Sequence, residues 1–249
     1  MSEVRWSSLK WMAKSPAHYQ HYLEHPVPET QAMRIGARAH NLILGGGRPF
    51  SIYMGVRRGK EWEAFKAGCH DETILNEREA NAAQAIATVL RRSKECMNLL
   101  GGHIERTIHW IGSGRGCCGT PDAVSLDGAV VADLKVTADA DPSKFAWHAS
   151  RQGWLAQLAW YSDGLRDAGL ADPKEHIIVA VEGKAPHVIQ PYLLTERAVE
   201  MGRRTYRLLL ERLMVHEAAD HWPGYIDGLA TLDSPEELAL TMDGEEFSV

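Results

Sequence analysis

Asp122, Asp133 and Lys135 are the residues best suited to chemistry: two carboxylates that can hold a hard cation and an ammonium that can face a phosphate. They fall in the segment GTPDAVSLDGAVVADLKV, residues 119–136. Asp127-Gly128, between two β-rich runs, predicts a two-residue type I′ hairpin turn, because both central residues of that turn need φ > 0. Leu126 then faces Ala129, and counting back sets Asp122 directly opposite Asp133. Opposed residues share a sheet face with Cβ atoms about 5 Å apart. Two like charges there repel, and a divalent cation between them reverses the sign, since Mg²⁺ prefers carboxylate oxygens at about 2.0–2.1 Å.

Period-two alternation places Val131, Asp133 and Lys135 on one face and Val130, Ala132, Leu134 and Val136 on the other. The second set is apolar and is expected to face the core. Lys135 is then expected beside the carboxylates on the open face, where an ammonium orients water and offsets charge developing on a phosphate. The plainer alternative, a surface hairpin with Lys135 paired to an aspartate, leaves the opposed acids unexplained. A third carboxylate is conditional. If Ser113-Gly114 tips the preceding turn, Glu105 faces Asp122, and a one-residue slip within GSGRG sends it to the other face.

The elements that must carry these residues follow from periodicity and caps. Residues 7–25 read as one or two short helices broken at Pro16, with Ser7 as a cap. A helix over 30–44 stops at Gly45-Gly46-Gly47. A loop of mixed character precedes a long helix from about Asn76 to Leu100. Strands are expected near 103–111, 117–126 and 129–137, then a helix opened by Asp141-Pro142 and running to about Gly169. Strands at 176–182 and 187–193 lead to a helix from Thr195 to about Ala219, and the acidic stretch 231–249 (Glu236, Glu237, Asp243, Glu245, Glu246) reads as a loose tail. The whole, residues 1–249, reads as one α/β (α+β) domain: a mainly helical part over 1–100 and a core over 101–225.

Bulk properties bound the function. The chain has 249 residues, 45% hydrophobic and 24% charged. No apolar run approaches the roughly 20 residues of a membrane span, and MSEVRWSSLK lacks the apolar core of a signal peptide, which points to the cytoplasm. Net charge is −6, so nothing in the composition argues for binding nucleic acid by charge alone. The four cysteines (Cys69, Cys96, Cys117, Cys118) form no CxxC, which argues against a cysteine-ligated iron–sulfur cluster. His18, His21 and His25 share a helical face without the cysteine or carboxylate that would complete a zinc site. Among eight tryptophans, Trp6, Trp11, Trp62 and Trp147 could each be core or a wedge against DNA bases.

Pro121-Asp122 followed by Asp133-Leu134-Lys135 resembles the signature of the PD-(D/E)xK nucleases. RIGARAHNLIL (34–44) resembles the GxxxH helix of the RecB-like and exodeoxyribonuclease VIII (RecE)-like branches, and QLAWY (157–161) resembles their QxxxY motif. SSLKWMAKSPAHYQHYL resembles the opening of exodeoxyribonuclease VIII-type phage and prophage nucleases, and the similarity runs from about Ser7 to about Tyr225. The resemblance implies a restriction-endonuclease-like core with a mixed sheet of about five strands flanked by helices. It implies a metal, Mg²⁺ or Mn²⁺, held by His40, Asp122, Asp133 and the Leu134 carbonyl. Glu105 would be an acidic neighbour, Lys135 would assist, and Gln157 and Tyr161 would touch DNA or order the site. Lys144, Arg151, Arg34 and Arg38 are candidate phosphate contacts, weighed against plain solvated charges. Gly36, one turn before His40, is expected to leave room beside the imidazole. Thr120 departs from the arginine that relatives often carry there, which touches how a DNA strand is held.

The implied activity is a metal-dependent exonuclease at double-stranded DNA ends in phage-type recombination, paired with a single-strand annealing recombinase and assembled as a homo-oligomeric ring, as such relatives often are. The alternatives are a RecB/Cas4-type endonuclease or processing nuclease, and a non-catalytic DNA-binding scaffold on the same fold.

Overall fold

A computed structural model describes residues 2–70, 72–226, 228–231, 239–242 and 245–248. The chain begins with β1 (Val4–Arg5), α1 (Trp6–Leu9), a 3₁₀ turn (Lys10–Ala13) and α2 (Pro16–Glu24). The cap of this region is Ser15, whose side chain accepts from the His18 N–H ahead of Pro16, and not Ser7, which lies inside α1. α3 (Gln31–Leu44) is capped by Thr30 and ends at Gly45 with φ 82. The stretch expected as a loop carries β2 (Phe50–Ile52), α4 (Gly59–Gly68) and β3 (Thr73–Leu75), with β2 and β3 paired in parallel. Short strands and a weakly amphipathic helix leave little periodic signal.

The long helix expected after Asn76 is two: α5 (Glu77–Arg92), opened by an Asn76/Glu79 capping box, and α6 (Lys94–Leu99), separated by extended Ser93. Glu79 does more than cap. Only 1% exposed, it also receives Arg34 and Arg57, fastening α3 and the β2–α4 connection to the start of α5.

The strands divide where single long ones were expected. β4 (His103–Ile104) and β5 (Ile108–Gly112) are separate, as are β6 (Arg115–Gly119) and β7 (Ala123–Val124). β5 and β6 pair with β1 in a three-stranded sheet, order β1-β6-β5. β4 and β7 join β8 (Val130–Thr137), β9 (Glu175–Glu182) and β10 (Ile189–Leu193) in a mixed five-stranded sheet, order β10-β9-β8-β7-β4. The breaks fall at Glu105–Thr107 and Thr120–Asp122. Pro121 cannot donate to a ladder, and Glu105 adopts φ 44.

The helix expected over 142–169 is also two, α7 (Pro142–Gln152) and α8 (Trp154–Asp167), parted at Gly153 with φ 76. α9 (Glu196–Ala219) follows, capped by Thr195. The sheet separates two cores. Ala132, Leu134, Ile177 and Val179 pack towards α3, α5 and α6, and Val131, Ile178 and Ala180 pack towards α7, α8 and α9. Within the stretch 231–249, Ala239–Met242 and Glu245–Ser248 pair as antiparallel strands, and Glu236, Glu237 and Asp243 lie outside the described residues.

Candidate active site

Hairpin register sets the site. Ala123 pairs with Ala132 and Val124 with Val131, so the strands run in the register that opposes Asp122 to Asp133. The turn itself differs from the two-residue type I′ form. Ser125 N–H donates to Val130 O, Gly128 N–H donates to Ser125 O, and only Gly128 of the Asp127-Gly128 pair has positive φ. The connection is longer by an even number of residues, so every side chain keeps its face. The preceding turn is the one expected: Ser113 (φ 49) and Gly114 (φ 80) connect paired Gly112 and Arg115. Glu105 therefore comes opposite Asp122, and its N–H donates to the Asp122 carbonyl at 3.1 Å.

One expectation fails. Asp133 and Val131 do not lie on an open face; they are 1% and 0% exposed. β8 pairs in parallel with β9, and helices cover both sides, so polar and apolar faces are buried alike. Burial makes the chemistry of Asp133 sharper. Both its oxygens are buried without a hydrogen-bond partner, and Lys135 lies in ion-pair contact with one of them. A buried carboxylate left so under-satisfied is costly. With Lys135 on one oxygen and no partner for the other among the described residues, the carboxylate keeps acceptor capacity that suits a hard cation.

Asp122 sits at the edge of the ladder. Its Oδ2 accepts the Leu134 N–H at 2.7 Å and lies 3.6 Å from His40 Nδ1. His40 Nε2 is 2.6 Å from the Leu134 carbonyl oxygen. That is a hydrogen-bond distance, so His40 meets the Leu134 carbonyl through one ring nitrogen and faces Asp122 with the other. His40, Asp122 and the Leu134 carbonyl thus form one group, and Asp133 with Lys135 forms its neighbour. Burial, and then the Asp133 charge, push the Asp122 carboxyl up to about 6.

That shift has a sign. An acid held above its ordinary value keeps its proton in the cation-free fold, and a cation must displace it. Apparent Mg²⁺ or Mn²⁺ affinity, measured by calorimetry, is therefore expected to weaken as pH falls through about 6. Below that, it should lose roughly tenfold per pH unit for each proton displaced.

Beside this group opens a cavity of about 580 Å³ lined by His40, Lys135, Glu105, Arg38, Arg48 and Phe50, among others. The Glu105 carboxylate lies against Gly46, where an added Cβ would fall 1.5 Å from Oε2. Gly36 does not serve as expected: a methyl there would make ordinary contact with Val136 at 3.8 Å. Its place is the crossing of α3 over β8.

The helical candidates separate. Gln157 donates to the Tyr161 hydroxyl at 2.9 Å, and Tyr161 is only 8% exposed, its hydroxyl pK raised by burial and by the charges of Asp133 and Asp122. The pair is therefore tied together within α8, close enough to the carboxylates for their charges to act on the Tyr161 hydroxyl. Gly119 fits the Tyr161 ring, which an added Cβ would approach to 2.9 Å. Gly119→Ala should cost about 1–3 kcal/mol in chemical denaturation by displacing this ring.

Arg34 is held by Glu79 and the Glu29 carbonyl, and so is tied into the fold. Arg38 stacks on Phe50 and donates to Asn41 at the cavity wall. Lys144 stands near Asp139 and Asp141, and Arg151 lies over exposed Trp147. Trp6 is buried, Trp11 stacks on Tyr22, and Trp62 packs on Tyr53. His18 bonds Ser15 while His21 stacks on His25.

Sequence reading missed Trp154, whose ring lies 5.8 Å from Lys135 Nζ, because the helix break that places it rests on a single glycine. It also missed Lys10, whose pKa is lowered by crowding and by the charge of Lys135. Nothing in the local pattern of the 3₁₀ turn marks that residue.

The fold recurs in a solved structure. A crystal structure from Eubacterium rectale, described as a "Putative exonuclease", superposes with a TM-score of 0.68 at 14% identity, covering 94% of this chain and 90% of that one. A second, of SSO0001, gives a TM-score of 0.33 at 13% identity over 84% of each chain. No curated protein matches. Residues 6–235 match the family described as "PDDEXK-like domain of unknown function (DUF3799)". With the Pro121-Asp122…Asp133-Leu134-Lys135 strand pair seated in a mixed five-stranded sheet, the chain belongs to this PDDEXK-like family.

Proposed function

We propose that this protein is a Mg²⁺- or Mn²⁺-dependent DNA exonuclease that hydrolyses phosphodiester bonds at double-stranded ends, in the manner of exodeoxyribonuclease VIII (RecE)-type phage recombination nucleases. The observation that carries the reading is Asp133, buried, with one oxygen in contact with Lys135 and the other without a partner among the described residues, and set in register opposite Asp122. His40, Asp122, Asp133 and the Leu134 carbonyl would hold the cation. When bound, the cation supplies charge neutralisation at the scissile phosphate and a lowered pKa for attacking water.

The chain's own groups do the rest. Lys135, 16% exposed and beside the cavity, keeps an ammonium near the reacting phosphate and balances Asp133. Tyr161 and Gln157 hold the α8 side of the site closed to water. Glu105 orients water from the cavity wall. Arg38, Arg48 and the Trp147/Arg151 pair are suited to flanking phosphates and bases, with Lys144 beside them. Water's oxygen bonds to phosphorus as the P–O bond to the departing nucleotide breaks; the water gives up a proton to solvent, and the departing oxygen takes one up from solvent to leave as a hydroxyl. A single-strand annealing recombinase would take the resulting strand, and a ring of copies would confine the duplex.

The description of the Eubacterium rectale neighbour as an exonuclease supports action at ends. End-labelled linear duplex and closed circular duplex, each with Mg²⁺, Mn²⁺ or EDTA and with wild type or Lys135→Ala, form the test. Cation-dependent release from the linear substrate alone, lost in Lys135→Ala, is expected. Cutting of the circle would instead assign a RecB/Cas4-type endonuclease. No cutting of either with any cation would leave a DNA-binding scaffold.

A further inference from the structure

Away from the carboxylates, the small β1-β6-β5 sheet carries a second set of donors. Cys118 lies in the central strand, directly paired with His109 of β5 on one side and Arg5 of β1 on the other. Glu3, two residues before Arg5, shares that face, and its side chain runs alongside Gly116. The opposite face of these strands, with Val4, Trp110 and Cys117, belongs to the core. Cys118 therefore points outward, yet it is 1% exposed, while His109 and Glu3 are 58% and 43% exposed. His109 Nδ1 is 2.9 Å from each Glu3 oxygen, and one donor atom from each of Glu3, His109 and Cys118 lies within 4.8 Å of the other two.

We infer that Glu3, His109 and Cys118 form a site for a soft or borderline divalent ion, Zn²⁺ above all, separate from the nuclease cation. Tetrahedral zinc with bonds of about 2.3 Å to sulfur and 2.0–2.1 Å to nitrogen and oxygen sets its donors about 3.5 Å apart. Small movements of two exposed side chains close the present spacing to that value. A thiolate and an imidazole select Zn²⁺ over Mg²⁺, whereas the oxygen-rich Asp122/Asp133 group does the reverse. The fourth position faces solvent and takes water. Such an ion would tie β1 to the β5–β6 hairpin. β1 runs straight into buried Trp6, whose ring an added Cβ at Gly153 would approach to 2.7 Å, so the tie would steady the junction between α7 and α8.

Co²⁺ titration of the metal-stripped full chain tests this, because only a thiolate ligand gives Co²⁺ a near-ultraviolet charge-transfer band. Wild type, Asp133→Asn and Cys117→Ser should each show the band, saturating at one equivalent and displaced by Zn²⁺. Cys118→Ser and His109→Ala should lose it. His109 is exposed, so its variant keeps the fold, and circular dichroism checks that. Zn²⁺ should raise the melting temperature of wild type by more than that of His109→Ala. No band in wild type, a band that survives in Cys118→Ser, or equal thermal shifts in wild type and His109→Ala would each overturn the inference.

Discussion

Asp133→Asn is expected to lower the rate of DNA hydrolysis by at least 10²–10³-fold, the order seen when one group that stabilises transition-state charge is removed. The substitution keeps side-chain size and weakens the contact with Lys135, whose ammonium reaches the cavity and its water. The fold should therefore persist, and circular dichroism should match wild type. What disappears is the thermal stabilisation that Mg²⁺ or Mn²⁺ gives the wild-type chain, since binding to the native state alone raises its stability. Asp122 also loses the neighbour that helps raise its pKa, so its proton should come off at lower pH. A variant that still cleaves DNA at the wild-type rate would remove Asp133 from the site.

The second large effect concerns the fold behind the site. Asp163, 2% exposed on α8, accepts from Arg203 Nε at 2.9 Å, from Arg207 at 3.2 Å and from the Tyr206 hydroxyl at 2.5 Å, and pairs with Arg166 at 2.8 Å. Burial works to raise its pKa, but Arg203 and Tyr206 overcome that and hold it below the usual carboxylate value. Asp163→Ala strands Arg203 and the Tyr206 hydroxyl against α8, and breaking one side of such a buried cluster costs about 3–5 kcal/mol. For a chain of this size that corresponds to a fall in melting temperature of about 6–20 °C. Calorimetry measures it, and a loss under about 1 kcal/mol would show the cluster to be ordinary surface pairing. The pH dependence has a definite sign. The stabilisation from Asp163 is present above its unfolded pKa and is lost as pH falls through its lower folded value.

Two of these elements were legible in very different degrees. The Asp122–Asp133 opposition needed only strand alternation and a turn of even length, so an error in turn type left it intact. The Ser113-Gly114 tip carried Glu105 to the same edge for the same reason. The Asp163 cluster left no local trace. Apart from Arg166 one turn along α8, its arginines, Arg203 and Arg207, lie 40 or more residues away along α9, and only the packing of α9 on α8 brings them in. Arg34 misled in the opposite way. Beside His40 in sequence it resembled a phosphate ligand, but Glu79 across the α3–α5 interface claims it.

Covalent connectivity and side-chain periodicity thus determined which residues can meet within one hairpin or one helix turn, because those distances are set by the backbone alone. The acidic pair follows from that, whereas the family and the mixed five-stranded sheet were legible through the resemblance of the Pro121-Asp122 and Asp133-Leu134-Lys135 motif and its flanks. Tertiary structure decided which face of β8 is dry, where Gly153 and Ser93 break helices, and how the outward-facing Cys118 comes to be buried. Those outcomes depend on what packs from distant segments, and burial, unlike register, is not a property of any local stretch of chain.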